Sequence, residues 1–113
     1  MRVQEGIRLF NAGQFFVCHE VWEEEWTPER GPRRLFLQAL IHFAVGFYHA
    51  ERGNRLGASR QLRKGLRKLS RYLQVFEEID TARLSADVSA ALIPIEAGAT
   101  LAEYPRIIQT AKT

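Results

Sequence analysis

The chain has 113 residues, 46% hydrophobic and 26% charged, which suits one domain with a buried core. No stretch approaches the ~20 apolar residues that a membrane-spanning helix needs, and the first ten residues lack the apolar run of a signal peptide. Cys18 is the single cysteine, so an internal disulfide is excluded. We therefore expect a cytoplasmic protein with no membrane partner.

The formal net charge of +3 conceals a separation of charge along the chain. Residues 52–71 contain eight basic residues and no acidic one, so the remainder carries eight basic and thirteen acidic residues. Five of those acids fall between Glu20 and Glu29. The most basic segment and the most acidic segment are thus separate along the chain.

Turn residues and the helical spacing of apolar residues predict an all-α chain of five or six helices. Asn11 and Gly13 end the first helix, Pro32 suits the first turn of the third, and Pro94 ends the fifth. No segment alternates strongly enough to predict a strand. The expected helices cover about residues 2–12, 14–26, 32–52, 54–76 and 82–93, followed by a less regular tail over residues 96–113.

The sequence repeats after forty residues. Gly6 to Gly13 then lies over Gly46 to Gly53, with both glycine pairs matched, and Trp22 falls on Leu62. The spacing resembles the tetratricopeptide pattern, in which small residues permit close helix packing, so two similar helix hairpins are predicted. Two units are too few for a solenoid. We therefore expect a single-domain helical bundle over residues 1–113.

The segment CHEVWEEEW, residues 18–26, contains the first candidate site. On a helical wheel His19 and Glu23 are flanked by aromatic residues, which predicts that both are buried, whereas Glu20 lies at the boundary. On the third helix a polar line lies beside small residues, and we expect it to meet this pair so that each buried polar group finds a partner. The expected cluster also includes Gln38, His42, His49 and Trp26.

Two long motifs can be recognised in the first two thirds of the chain. The first reads F-N-x-G-x-F-x-x-x-H-E-x-x-E-x-x-W in this chain and comprises Phe10, Asn11, Gly13, Phe15, His19, Glu20, Glu23 and Trp26. The second comprises Leu37, Gln38, Leu40, Ile41, Ala44, Gly46, His49, Gly53, Asn54, Gly57 and Ala58. Together they resemble the hallmarks of Domain of Unknown Function 309, a family of small helical proteins, over about residues 6–75. The C-terminal helix and tail, residues 80–113, lie outside the resemblance.

The resemblance implies an all-helical fold related to tetratricopeptide hairpins. It implies no activity, because the family is named for lacking one. This chain departs from the second motif at Ala39, where glycine is common, and at His42, where glutamine is common. Any role of His42 would therefore be particular to this protein.

Three functions remain open. The first is a scaffold or interaction module in which the His/Glu/Gln cluster is structural and no cofactor is needed. The second is a metal-dependent or acid–base hydrolase-type enzyme, with His19, Glu20 and Glu23 as catalytic candidates and His42 or His49 added. Its metal ligands would be His19, Glu23 and His42, a mixed imidazole and carboxylate set that suits Zn, Mn or Fe. A zincin is excluded because Glu23 occupies the position of the second histidine.

The third possibility is that the basic fourth helix binds nucleic acid or an acidic partner. Few aromatic residues lie among its charges, which leaves no sign of base stacking. An acidic protein is an equal candidate, as is the acidic segment of a second copy, which would give a homodimer. The basic residues concerned are Arg60, Arg63, Lys64, Arg67, Lys68 and Arg71.

Overall fold

The computed structural model describes residues 2–110 and confirms an all-helical fold. Between the last two helices it adds a 3₁₀ turn at Ser70–Tyr72 and two short antiparallel strands, β1 (Val75–Phe76) and β2 (Ile79–Asp80). In this part of the chain no helix combines the length and the apolar character needed to cross a membrane. The five helices are α1 (Arg2–Asn11), α2 (Phe15–Trp26), α3 (Arg33–Glu51), α4 (Arg55–Leu69) and α5 (Thr81–Glu96).

Helix α3 is the centre of the fold, with α2 against one side and α4 against the other. Its Phe36, Phe43 and Phe47 are fully buried, as expected of a helix whose apolar residues cover most of its circumference. Helix α1 packs on α2, and α5 packs on α4. Cys18, on α2, is also completely buried and belongs to this core.

The predicted forty-residue repeat is present in the backbone hydrogen bonds that close α1 and α3. The Gly13 amide donates to the Phe10 carbonyl at 3.0 Å, and the Gly53 amide donates to Ala50 at 3.1 Å. Gly13 and Gly53 have φ of +77° and +76°, a left-handed conformation that favours glycine at a helix C-terminus. The two hairpins therefore share one turn geometry.

Close helix packing repeats at the same offset. A Cβ built on Gly6 would lie 2.0 Å from Nε1 of Trp22, and one built on Gly46 would lie 2.6 Å from Cδ2 of Leu62. Both of these partner side chains are fully buried. In each hairpin a glycine on the first helix thus leaves space for a large side chain of the second helix. The two glycines are forty residues apart in the sequence, and so are the two large side chains.

The prediction that the fourth helix reaches residue 76 is wrong, as is the prediction that no strand forms. Helix α4 ends at Leu69, and the chain reverses so that Phe76 packs on Phe36 with ring centroids 4.7 Å apart. The reversal brings Ile79 into the core with no exposed surface. Burial of these two side chains outweighs the helical spacing that the sequence continues past Leu69.

Helix α5 continues three residues past the predicted end, through Pro94 to Glu96. Pro94 removes one intrahelical hydrogen bond, and a proline ring also crowds the carbonyl group four residues earlier. The helix continues for only two residues after it. The following amides restore the closure, since Ala97 donates to Ile93 and Gly98 donates to Ile95. The proline is therefore tolerated.

Residues 101–110, which we call the tail segment, run back across the molecule in extended form to α1 and β2. Tyr104 packs edge-on against Phe15 and Phe47, and Ile107 is 3% exposed. Ile79 of β2 forms an antiparallel bridge with Gln109. Residues 111–113 of the predicted tail lie outside the described part.

Candidate functional site

Helices α2, α3 and α4 present partly exposed side chains on a common surface, which we call the three-helix face. Phe16 of α2 contacts Tyr48 of α3 with ring centroids 5.2 Å apart, and His42 of α3 bonds to Gln61 of α4, so the three helices meet there. The face includes Phe16, His19, Glu20 and Glu23 from α2, Gln38, His42, Tyr48 and His49 from α3, and Gln61, Lys64 and Lys68 from α4.

His19 and Glu23 form a loose pair at the α2 edge of this face. The His19 ring packs edge-on against Phe16 at 4.9 Å, and its Nδ1 hydrogen-bonds to the Phe16 carbonyl. Because a carbonyl only accepts, Nδ1 carries the proton of the neutral ring and Nε2 presents its lone pair. Nε2 lies 3.8 Å from Oε1 of Glu23. The arrangement leaves the Nε2 atom of His19 without a hydrogen-bond partner inside residues 2–110.

The prediction that His19 and Glu23 are buried together is wrong, because His19 is only partly buried and Glu23 is exposed. The side chain of His19 is 18% exposed, whereas that of Glu23 is 51% exposed. A longer carboxylate side chain at the edge of the aromatic stripe reaches water, and it thereby avoids the several kcal/mol that a buried charge would cost. The pair lies on an open surface and is not sealed behind tryptophans.

His42 does not join His19 and Glu23, contrary to expectation. Its Nδ1 donates to Oε1 of Gln61 at 2.7 Å, and its Nε2 accepts from Nζ of Lys68 at 2.8 Å. Burial, together with the charges of Lys68, Lys64 and Arg67, lowers the pKa of His42 despite the Gln61 hydrogen bond, which acts to raise it. His42 is therefore neutral with both ring nitrogens in use, and it offers no lone pair to a metal in this arrangement.

The remaining members of the predicted cluster are dispersed. His49 is near Asn54, with Nδ1 and Nδ2 3.4 Å apart, and Gln38 is half-buried without a side-chain hydrogen bond inside residues 2–110. The Arg34 guanidinium covers the Trp26 ring at 4.0 Å, and the buried Trp26 Nε1 has no hydrogen-bond partner in that range. Over the same residues no three His, Cys, Asp or Glu side chains are grouped to hold a metal. The structure thus does not assemble the proposed ligand set of His19, Glu23 and His42.

Most of the acidic segment is neutralised within the protein. Glu24 pairs with Arg2 at 2.6 Å, and Glu25 and Glu29 both approach Arg33, at 3.5 and 3.1 Å. The hydrogen bond from Arg33, followed by the one from the Gly31 amide, lowers the pKa of Glu29. Of the five acids, only Glu20 and Glu23 lack an Arg or Lys partner inside residues 2–110.

The six basic candidates, five on α4 and Arg71 in the 3₁₀ turn after it, are mostly without an ion-pair partner. Within the described chain Arg63 alone of the six candidates forms an ion pair, at 2.7 Å to Glu96 of α5. Lys68 donates a hydrogen bond to His42. Burial, together with the charges of Lys64 and Arg67, lowers the pKa of Lys68. The other four, Arg60, Lys64, Arg67 and Arg71, are exposed and have no carboxylate partner among residues 2–110; we call them the cationic strip.

A separate cavity of about 790 Å³ lies where the turn between α3 and α4 meets the end of α5. Glu51, Arg52, Arg55, Leu56 and Ile95 line it, and none of the predicted site residues does. Sequence reasoning missed this cavity because it depends on the position of α5, which no motif in the sequence indicates.

Two matched helix hairpins, with a long HExxExxW motif on α2, define a small all-α protein. The chain belongs to the family described as Domain of unknown function (DUF309), whose model matches residues 3–61, from α1 into α4. The match covers most of both hairpins and includes His19, Glu20 and Glu23. No curated protein matches the chain.

Proposed function

We propose that this protein is a helical interaction module that binds an acidic surface of a partner protein through the cationic strip together with the three-helix face. The observation that carries the proposal is the cationic strip. Arg60, Lys64 and Arg67 recur at i, i+4 and i+7 on one side of α4, and Arg71 follows in the 3₁₀ turn after that helix. None of the four has a carboxylate partner inside residues 2–110.

Mutual repulsion among these cations supports an anionic partner. The lowered pKa of Lys68 is due first to burial and then to the charges of Lys64 and Arg67. An acidic surface placed over α4 would relieve this repulsion. Electrostatic attraction between the two surfaces would increase the rate of association, and salt would screen that attraction.

A protein partner fits the face better than a nucleic acid does. Phe16, 49% exposed, and Tyr48 supply apolar contact area beside the charges, and Glu20 and Glu23 on α2 would repel a phosphate backbone. A folded protein partner can present basic groups to Glu20 and Glu23 and acidic groups to the cationic strip. A second copy of this chain offers only Glu20 and Glu23 as unpaired acids of that segment, which is fewer than the cations to be matched.

The enzyme hypothesis stays a prediction. The Nε2 atom of His19, beside Glu23, suits acid–base chemistry, but no contact among residues 2–110 favours this use over a structural one. Metal analysis of protein purified without a chelator, compared with His19→Ala, addresses it directly, because a site built on His19 requires metal that the variant lacks.

Binding of a fluorescent polyglutamate peptide tests the proposal, measured by anisotropy at about 50 to 200 mM salt. Lys64→Glu/Arg67→Glu should weaken binding by at least about tenfold because four units of charge change on the strip itself. The control Arg8→Glu/Arg83→Glu makes the same change in net charge on α1 and α5. An equal loss of affinity in both variants would show that net charge alone causes the effect, which would contradict the proposal. Tighter binding of a DNA or RNA oligonucleotide than of the peptide would also contradict it.

A further inference from the structure

The tail segment lies on the rest of the protein as an extended peptide lies on a receptor. The Asn11 side chain of α1 contacts both backbone groups of one tail residue, since Oδ1 accepts from the Ile107 amide at 2.7 Å and Nδ2 donates to the Ile107 carbonyl at 3.0 Å. This contact recognises backbone and is independent of the tail side chain.

The β2 edge supplies further backbone contacts. The Asp80 amide donates to the Ile108 carbonyl at 2.8 Å, and the Thr110 amide donates to the Glu78 carbonyl at 2.7 Å. Strand addition of this kind gives affinity through main-chain hydrogen bonds and leaves specificity to alternate side chains.

Few side chains of the tail segment are buried against the rest of the protein. Ile107 is the one buried side chain of residues 101–110, and Tyr104 rests on Phe15 and Phe47 at centroid distances of 5.3 and 5.6 Å. Half of the segment is exposed, namely Ala102, Glu103, Arg106, Ile108 and Gln109. A core segment would bury a larger share, whereas a bound peptide needs only a few side-chain pockets.

We propose that the groove formed by Asn11, Phe15, Phe47 and β2 is a binding site for an extended protein segment with an aromatic residue followed three positions later by a branched aliphatic one. The tail segment occupies this groove in cis. The site is distinct from the three-helix face, so it does not depend on the function proposed above.

Exchange of the tail for another segment is structurally simple. Residues 97–100 connect α5 to the tail and are exposed, and Gly98 has a φ of +85°. The tail competes at an effective concentration on the order of millimolar because it is tethered. A partner segment therefore occupies the groove when it makes the same contacts more tightly or when the tail is drawn away.

The test uses the full chain with a protease site introduced within residues 97–100. Cleavage removes the tether while every residue of the groove stays present, and circular dichroism follows the fold. We expect the cut tail to exchange with a fluorescent synthetic peptide of residues 99–113. Peptides carrying Tyr104→Ala or Ile107→Asp should bind at least about tenfold more weakly, since each loses one of the two side-chain contacts.

Two further probes decide what the groove recognises. A peptide with Tyr and Ile at the same spacing in an unrelated sequence should bind like the native peptide, whereas a scrambled peptide should not. Asn11→Ala in the cleaved protein should weaken both binding peptides to the same extent, with Gln14→Ala as the control at a neighbouring exposed position.

Three outcomes would overturn the proposal. The cleaved protein could lose its helical signal even with excess peptide, which would make the tail part of the core. It could remain folded without binding the peptide, or it could bind native and scrambled peptides equally.

Discussion

Trp22 is completely buried because Gly6 leaves space for its indole. The indole Nε1 reaches the Val3 carbonyl at 3.3 Å from this position, so the contact also satisfies a buried donor. The repeat in the sequence matched the glycines at positions 6 and 46. It could not reveal which side chain each glycine accommodates, because that depends on how the helices approach one another.

Gly6→Ala should lower the free energy of unfolding by about 1 to 3 kcal/mol, because the new Cβ overlaps a rigid ring in the core. Urea denaturation measures the change. Gly31→Ala is the control, since its Cβ would approach only the flexible Glu29 carboxylate, at 3.0 Å. Equal changes at the two positions would show that the ring contact is not the cause.

His42 makes stability depend on pH in a defined direction. Its pKa is lowered in the folded protein, so below the unfolded value of about 6.5 the unfolded chain binds more protons. The free energy of unfolding should therefore rise with pH from the folded pKa of His42 to about 6.5. His42→Gln should flatten this rise relative to the unmodified protein in urea titrations between about pH 5 and 7.5.

A second substitution checks the sign of this effect. Gln61→Glu places a carboxylate on Nδ1 of His42, which favours the charged imidazole and should raise its pKa towards the ordinary value. The pH dependence should then become shallower even though the histidine is retained. A steeper dependence would contradict the assignment to His42.

At the level of elements, the two hairpins share a turn but differ in their helix caps. Asn54 and Gln14 occupy equivalent positions with similar backbone angles, at φ/ψ of −87°/81° and −95°/68°. The Asn54 side chain accepts from the Gly57 amide at 2.9 Å, whereas Gln14 makes no capping bond. Asparagine is a strong N-cap because its short side chain reaches the amides of the first turn.

Asn54→Ala should cost about 1 kcal/mol of stability, and Gln14→Ala should cost close to nothing. The comparison controls for the shared turn geometry, because both changes remove a polar side chain at the same place in the repeat. Thermal or urea unfolding measures both variants. A similar loss at Gln14 would mean that the cap bond is not what distinguishes the units.

The sequence predicted those elements that are determined by local signals. Glycine turns and apolar spacing located the first three helices to within about two residues. The same spacing failed after Leu69 because Phe76 and Ile79 are held by contacts with distant residues and not by the neighbouring turn. The prediction that Pro94 ends the fifth helix was also inaccurate, since α5 continues for two residues past it although proline disfavours a helix at that position.

For the molecule as a whole, the candidate site was predicted only in part. The wheel identified the basic side of α4, but it predicted that His19 is buried and left Glu20 at the boundary, whereas His19 is partly buried and Glu20 is exposed. Some of the ion-pair partners lie far along the chain, as in the pairs of Arg63 with Glu96 and of Arg33 with Glu77 at 2.5 Å. The spacing of residues in the sequence does not reveal such distant pairs, so the pairing of Arg63 with Glu96 and of Arg33 with Glu77 could be found only from the fold.

The Asn11 to Ile107 contact also has a consequence for the order of folding. The two residues are 96 positions apart, so this contact closes one of the longest loops in the chain and bears a large entropic cost. We expect the helices to form first and the tail segment to dock last, and the reverse order on unfolding. Native-state hydrogen exchange should accordingly release the amides of Ile107 and Thr110 before those of α3. Simultaneous exchange of the two groups would mean instead that the molecule opens as a single cooperative unit.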